Sequence, residues 1–286
     1  MTLYYQTASR EYVEFLRDAN TTTAAGNILY ELWRDRGQSA PVAMAHVWVE
    51  ADQATVIKCR KQVAKLEGKY LKSYYREWSR CFDMETRGLS CDASSRDARI
   101  AAEAARLTDR LGGLGDTICA GRNLTPSSLG HGSSCPAPCA SVTLFDMSDL
   151  AACTSCLAEA LADGALHAAY GATPPTVPAT APATARSCQR LLDKAADMLA
   201  RGWSAALGRC ELGNASGRTR PPVDCTADPA GDVARARSKA AAKITRCDDF
   251  AGIAGCATGG TAGAVQTCLE TAVGGVVDAY TEVAYP

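Results

Sequence analysis

Four cysteines in the middle of the chain have a spacing that could hold a metal ion. The run Cys135-x3-Cys139-x13-Cys153-x2-Cys156 is close to the ligand spacing of a zinc ribbon, in which four thiolates surround one Zn²⁺. Cys153-Thr-Ser-Cys156 also has the C-x-x-C form of redox sites, but no βαβ pattern precedes it. The alternative is that the four cysteines form two disulfide bonds.

The whole set of cysteines favours disulfides. The chain has 286 residues and 14 cysteines, at wide and varied spacings. So many thiols in a reducing cytosol would need metals or redox work, whereas seven disulfides in an oxidising compartment account for all of them. We therefore expect an extracellular, periplasmic or cell-envelope protein. The disulfide candidates are Cys59, Cys81, Cys91, Cys119, Cys135, Cys139, Cys153, Cys156, Cys188, Cys210, Cys225, Cys247, Cys256 and Cys268.

The residues that follow Met1 do not form a signal peptide, because they lack a basic start and an apolar stretch. The expectation is that the true start lies upstream, or that this is the C-terminal part of a longer exported protein. No apolar run approaches the ~20 residues of a spanning helix. The formal net charge of −1 gives no general attraction to nucleic acid, so no specific nucleic-acid binding is expected.

The remaining chemistry-bearing residues form no recognisable catalytic set. The three histidines are His46, His131 and His167, and His131 lies in a Ser/Gly-rich stretch that predicts a loop rather than a Ser/His pair. The sequence contains neither a nucleophile elbow nor a phosphate-binding loop. We expect no catalytic residue, no cofactor and no metal, and a protein that is not an enzyme.

The chain carries an internal duplication. Cys59 and Cys81 enclose 21 residues, as do Cys188 and Cys210. An ungapped alignment matches Lys65 with Lys194, Lys72 with Arg201, and Arg80-Cys81 with Arg209-Cys210. An Ala-rich basic helix recurs at 104–107 and 241–244, and each copy closes with a Cys-Leu pair that is expected to open an apolar helix, at 156–157 and 268–269.

The duplication limits how the cysteines can pair. Cys59, Tyr70 and Cys81 lie on one apolar stripe of a helix, and the ends of that helix are ~33 Å apart at ~1.5 Å per residue. Cys59 and Cys81 therefore cannot bond to each other. The copies hold eight and six cysteines, so we expect pairing within each copy, with the extra pair as Cys135–Cys153. The second copy lacks that pair and has no tetrahedral zinc site.

One charged face is a candidate for anion binding. Six basic residues recur at helical spacing roughly opposite the apolar stripe, and they would suit a cell-envelope or extracellular anionic polymer. The second copy keeps four of these positions, and it has Met198 and Ala205 at the other two. That loss favours the alternative of a solvated helix face. The six residues are Lys61, Lys65, Lys69, Lys72, Arg76 and Arg80.

The predicted layout has four parts. Residues 1–50 form a cysteine-free segment, which is either a small α/β piece or the end of a larger domain, with helices at 8–19 (capped by Ser9) and 24–36 and a strand at 42–49. Residues 51–171 are helical unit 1, residues 172–185 are a Pro/Ala/Thr linker, and residues 186–286 are helical unit 2.

The residues Lys58-Cys59, Lys65, Arg80-Cys81 and Cys153-x2-Cys156-Leu157, with the Ala-rich basic helix, resemble cysteine-rich helical repeats of exported deltaproteobacterial-type proteins. The resemblance implies an export route but no functional residue. The sequence thus predicts a mainly α fold of two duplicated, disulfide-stapled small helical bundles with a short α/β N-terminal segment. The expected role is structural or binding; the alternatives are an appendage of a longer exported enzyme and a zinc-binding module at the cysteines of unit 1.

Overall fold

The computed structural model describes residues 2–5, 10–36, 42–46, 52–171, 177–179 and 181–286. It divides into two compact units, residues 1–50 and 51–286, which are described separately below. Within the described ranges, no helix is both long enough and apolar enough to cross a bilayer.

The N-terminal unit has the order strand, helix, helix, strand. Strand β1 (Thr2–Tyr5) pairs antiparallel with β2 (Val42–His46), and the helices α1 (Arg10–Ala19) and α2 (Ala25–Asp35) lie between them in sequence. Both helices confirm the sequence prediction, whereas β1 was not foreseen. Ser9 and the expected strand residues 47–49 lie outside the described residues.

The two N-terminal helices contact each other closely. Gly26 of α2 is needed at this contact, because a Cβ there would come within 2.6 Å of the carbonyl oxygen of Leu16. Val13 and Trp33 are buried, but Phe15 and Ile28 are more than half exposed. The unit therefore buries little apolar surface within itself.

The C-terminal unit contains two helix triplets in the same order. Its helices are α3 (Gln53–Thr86), α4 (Ala93–Arg110), α5 (Met147–Tyr170), α6 (Ala183–Ala215), α7 (Asp232–Ile244) and α8 (Ala262–Glu282). Within each triplet every helix contacts the other two, and the triplets join through contacts of α3 with α6, α5 with α8 and α5 with α6. The long helices α3, α5, α6 and α8 form one shared core.

Helix α5 is the most deeply buried element because most of its circumference is apolar. Leu150, Leu157 and Leu161 are fully buried, and so are Ala158 and Ala165 on other faces of the helix. The helix starts at a capping box formed by the carboxylates of Asp146 and Asp149. By contrast, α4 is mostly exposed and α7 is buried along one face only, and both cover the outside of the core.

Seven disulfides use all fourteen cysteines, and each one lies within a single triplet. The bonded Cα atoms are 5.0–6.1 Å apart. The two ends of α3 are attached to different loops, as the helix geometry predicted. The pairs are Cys59–Cys119, Cys81–Cys91, Cys135–Cys153 and Cys139–Cys156 in the first triplet, and Cys188–Cys247, Cys210–Cys225 and Cys256–Cys268 in the second.

A buried carboxylate shapes the loop that carries one of these bonds. Asp116 accepts hydrogen bonds from the backbone N–H groups of Gly112, Ile118, Cys119 and Ala120. These bonds hold Cys119 where it reaches Cys59. The Asp116 side chain therefore satisfies backbone N–H groups that are satisfied by regular secondary structure elsewhere in the unit.

Two boundaries differ from the sequence expectation. The Cys-Leu pairs do not open their helices, because α5 begins at Met147 and α8 at Ala262, several residues earlier. Of the expected linker 172–185, residues 172–176 and 180 lie outside the described residues, and α6 already begins at Ala183. The mainly α, disulfide-stapled fold class itself is confirmed.

Candidate functional site

Small residues on two facing helices leave a groove in the surface of the C-terminal unit. Helix α3 contributes Ala64 and Gly68, and α6 contributes Ser204 and Gly208. A Cβ built on Gly68 would have no atom within 4 Å, so the space beside it is open. The groove has a volume of about 470 Å³, which lies within the range of small-molecule sites.

The end of α8 closes the third side of the groove. Tyr280 and Thr281 are buried there, and Tyr285 follows just after the helix. Burial raises the pKa of Tyr280 well above its usual range and that of Tyr285 to about 12. Both phenols therefore stay protonated at neutral pH and line the wall as uncharged groups with apolar rings.

Five basic residues stand around this apolar groove. Arg201 is paired with Asp197 on its own helix, and Arg209 with Asp232 at 3.1 Å. The three lysines of α3 are exposed and have no ion pair with any described residue. The groove therefore carries uncompensated positive charge, which attracts an anion. These lysines are Lys61, Lys65 and Lys72.

A single carboxyl group lies inside the groove. Glu67 is only 3% exposed, and its Oε1 atom is buried without a hydrogen-bond partner among the described residues. Burial raises the pKa of Glu67 well above its usual range. Burial thus favours the protonated form of the side chain, which can both donate and accept a hydrogen bond.

The helical periodicity of α3 explains why Glu67 is buried while the lysines of the same helix are exposed. Relative to Glu67, Leu71 is rotated by about 40° and Ala64 by about 60°, so they share its buried side at about 100° per residue. Lys65 and Lys72 are rotated by about 160° and 140° and point outward. Gly68 lies between the two sets and opens the path from the lysines to the carboxyl group.

The structure divides the six-residue basic face of α3 into two sets of three. Lys61, Lys65 and Lys72 line the groove, but the other three do not. Lys69 lies 3.8 Å from Glu103, and Arg76 lies 2.9 Å from Glu77. Arg80 lies beside the Cys81–Cys91 bond, away from the groove.

The cysteines considered for zinc are all bonded to one another. Cys135 pairs with Cys153 and Cys139 with Cys156, so none of the four is available as a thiolate ligand. Across the described part of the chain, no group of three or more His, Cys, Asp or Glu side chains has a metal-binding arrangement.

His131 does not join a serine in the structure. The hydroxyl groups of Ser127 and Ser128 bond to Thr125. Burial, with a contribution from Arg60, lowers the pKa of His131 to about 4. A histidine that stays neutral and half-buried at this position is part of the packing between the loop and the end of the chain.

Glu67 was missed in the sequence, although a signal for it exists. A solvated glutamate on a lysine-rich helix normally has a basic residue three or four positions away. The corresponding neighbours of Glu67 are Val63, Ala64, Tyr70 and Leu71, all apolar or aromatic. That pattern is typical of a side chain that faces the interior.

Comparison with protein-family models, with curated proteins and with solved structures finds no match. The groove must therefore be interpreted from its own geometry. An apolar interior, a cationic mouth and a buried carboxyl group inside are the features of a binding site, and the residues that line the groove include no nucleophile with an adjacent base.

Proposed function

We propose that this chain is an exported, disulfide-stapled helical repeat protein that binds an anionic amphiphile in the groove between α3, α6 and α8. The anionic head lies among the lysines of α3 and the apolar body lies between Gly68, Gly208 and the tyrosines of α8. The observation that carries the proposal is the coincidence of apolar walls with three unpaired lysines. Export is supported by the seven disulfides and by the resemblance to exported cysteine-rich repeats.

A compact groove favours a small amphiphile as the ligand. A continuous basic face would instead suit an anionic polymer. A polymer binds by following an extended charged surface, so all six basic residues of α3 would contribute to its affinity. An amphiphile contacts only those that line the groove. The two sets of three residues on α3 can therefore distinguish the two ligand classes.

The test uses two triple variants with the same change of charge. One removes the groove set (Lys61→Gln, Lys65→Gln, Lys72→Gln), and the other removes the remaining set (Lys69→Gln, Arg76→Gln, Arg80→Gln). Binding of 11-(dansylamino)undecanoic acid is followed by fluorescence at 0.15 M salt. We expect the first variant to weaken binding about tenfold, because three exposed charge contacts each contribute up to about 1 kcal/mol.

The second triple variant should bind the probe within about twofold of the unmodified protein. Equal losses in both variants, together with competition by dextran sulfate, would show a general polyanion surface instead. Absence of probe binding to the unmodified protein would overturn the proposed function.

A further inference from the structure

The groove contains one polar group that binding of a plain alkyl chain would leave unsatisfied. Glu67 is 3% exposed, its Oε1 atom is buried without a hydrogen-bond partner, and its carboxyl group makes no ion pair with any described residue. An unpaired polar group in such a place costs about 1–3 kcal/mol. An alkyl ligand that excludes water from the groove would preserve that cost, whereas a ligand with a matching polar atom would remove it.

The position of Glu67 on α3 indicates where that polar atom must be in the ligand. Glu67 is two residues from Lys65 and five from Lys72, so it lies about 3 and 8 Å from them along the helix axis at 1.5 Å per residue. It faces the interior while the lysines face outward. A ligand whose anionic head lies among the lysines therefore passes Glu67 a few bonds below its head.

On this basis, and resting on the proposed function, we propose that Glu67 is the specificity-determining residue of the groove and that its carboxyl group donates a hydrogen bond to a carbonyl oxygen near the ligand's head. The ligand class is then an anionic amphiphile with an amide or ester next to its charged end, such as an N-acyl amino acid, rather than a simple fatty acid.

The charge of the groove supports an acceptor in the ligand rather than a cation. A cationic ligand would be attracted by an ionised Glu67, but it would have to pass the lysines at the groove mouth. Burial raises the pKa of Glu67 well above its usual range, which favours the protonated form whose O–H is a donor. The second half of the chain has Ala196 at the aligned position, so the carboxyl group is not part of the shared helical frame.

Two probes of equal length test the proposal. N-dodecanoylglycine and pentadecanoic acid have the same number of chain atoms and the same carboxylate head, and they differ in the amide. Titration calorimetry of the full chain should show that N-dodecanoylglycine binds about tenfold more tightly, the ratio expected for a hydrogen bond that satisfies a buried group.

Two variants test whether Glu67 causes the tenfold difference in affinity between the two probes. Glu67→Gln keeps a neutral donor of the same shape and should retain the preference for the amide. Glu67→Met should bind both probes with affinities within about twofold of each other, while its thermal unfolding shows that it is folded. Removal of a buried unpaired carboxyl group is not expected to destabilise the helix.

The outcomes separate the two proposals. If neither probe binds the unmodified protein, the proposed function fails. If both bind with equal affinity, or if Glu67→Met keeps the preference, the groove still binds amphiphiles but the role assigned to Glu67 is wrong.

Discussion

The two sides of the contact between α3 and α6 are built from aligned positions of the sequence, but different residues at those positions give them different structures. On one side, the hydroxyl groups of Tyr75 and Ser79 donate hydrogen bonds to Asp193, at 3.0 and 2.8 Å, and close the surface. The aligned residues on the other side are Ser204, Gly208 and Ala64. They are too small to meet, and the groove lies between them.

The charged residues of α3 and of α6 also differ in their pairing, although Arg201 of α6 lines the same groove as the lysines of α3. Lys61 and Lys72 line the groove without an ion pair in the described part of the chain, whereas their aligned counterparts are neutralised. Arg190 lies 3.9 Å from Asp83, and Arg201 is paired with Asp197. The comparison teaches that both triplets have the same helix order and similar disulfides, which we call the shared frame. The side chains between the disulfide-bonded ends of α3 and α6 decide whether each side of their contact is closed or open.

The largest expected effect is the loss of stability on removing one disulfide from each triplet, and it tests whether the two triplets are stabilised alike. The bonds Cys59–Cys119 and Cys188–Cys247 close loops of nearly equal length, with sequence separations of 60 and 59. Replacing either pair by serine should lower the free energy of unfolding by about 4 kcal/mol, the entropy expected for such loops. Urea unfolding measures both. A difference of more than about 2 kcal/mol between the two variants would show that the two triplets are not stabilised alike by these bonds.

A smaller effect is expected from opening the closed side. Tyr75→Ser gives that position the residue found at the groove, and it should cost about 3 kcal/mol because a large buried side chain is lost. The matched variant Ser204→Ala should cost less than about 1 kcal/mol, since it removes only one hydroxyl that is shared between the carbonyls of Ala200 and Arg201. Similar costs for both variants would remove the contrast between the two sides.

The closed side should also depend on pH. Burial raises the pKa of Asp193 to about 6, against about 3.9 in an unfolded chain. The folded protein therefore holds this proton more strongly, and the resulting stability is complete below about pH 4 and lost as the pH rises through about 6. Relative to Asp193→Asn, the unmodified protein should lose about 2 kcal/mol between pH 4 and 7 in urea unfolding. A constant difference would show that the pKa of Asp193 is not raised in the folded protein.

The smallest effect concerns two glycines in the long helices. Gly68→Ala should stabilise the protein by about 0.5–1 kcal/mol, because alanine favours the helix and its Cβ enters the open groove. Gly202→Ala should destabilise it, because its Cβ would lie 2.9 Å from that of Ala236. Thermal unfolding compares the two. Destabilisation by Gly68→Ala would mean that the groove is filled in solution.

The sequence predicted the parts of this arrangement that depend on local periodicity and on the number of cysteines. The stripe from Cys59 to Cys81 is on the buried side of α3, and Cys135 is bonded to Cys153 as expected. The first follows from helix geometry, and the second follows from comparing the eight cysteines of the first copy with the six of the second. The strand β1 was not predicted, because its short sequence carries little periodic signal.

The groove itself could not be predicted in this way. The sequence pattern indicates one buried face of α3, but Glu67, Leu71 and Tyr75 are also buried because α6 packs against a second face. That contact joins residues more than a hundred positions apart, as the bond from Tyr75 to Asp193 shows. The six basic residues therefore looked like one continuous face, although only three of them line the groove.

The most direct test of the central claim is to locate a bound amphiphile. A carboxylate amphiphile with a photoreactive diazirine in its chain can be cross-linked to the protein of residues 1–286 and mapped by mass spectrometry. The groove predicts labels within 61–72, 201–212 and 280–285, and their loss in Gly68→Leu, which fills the groove. Labels confined to the exposed apolar residues of α1 and α2, such as Phe15 and Ile28, with no effect of Gly68→Leu, would contradict it.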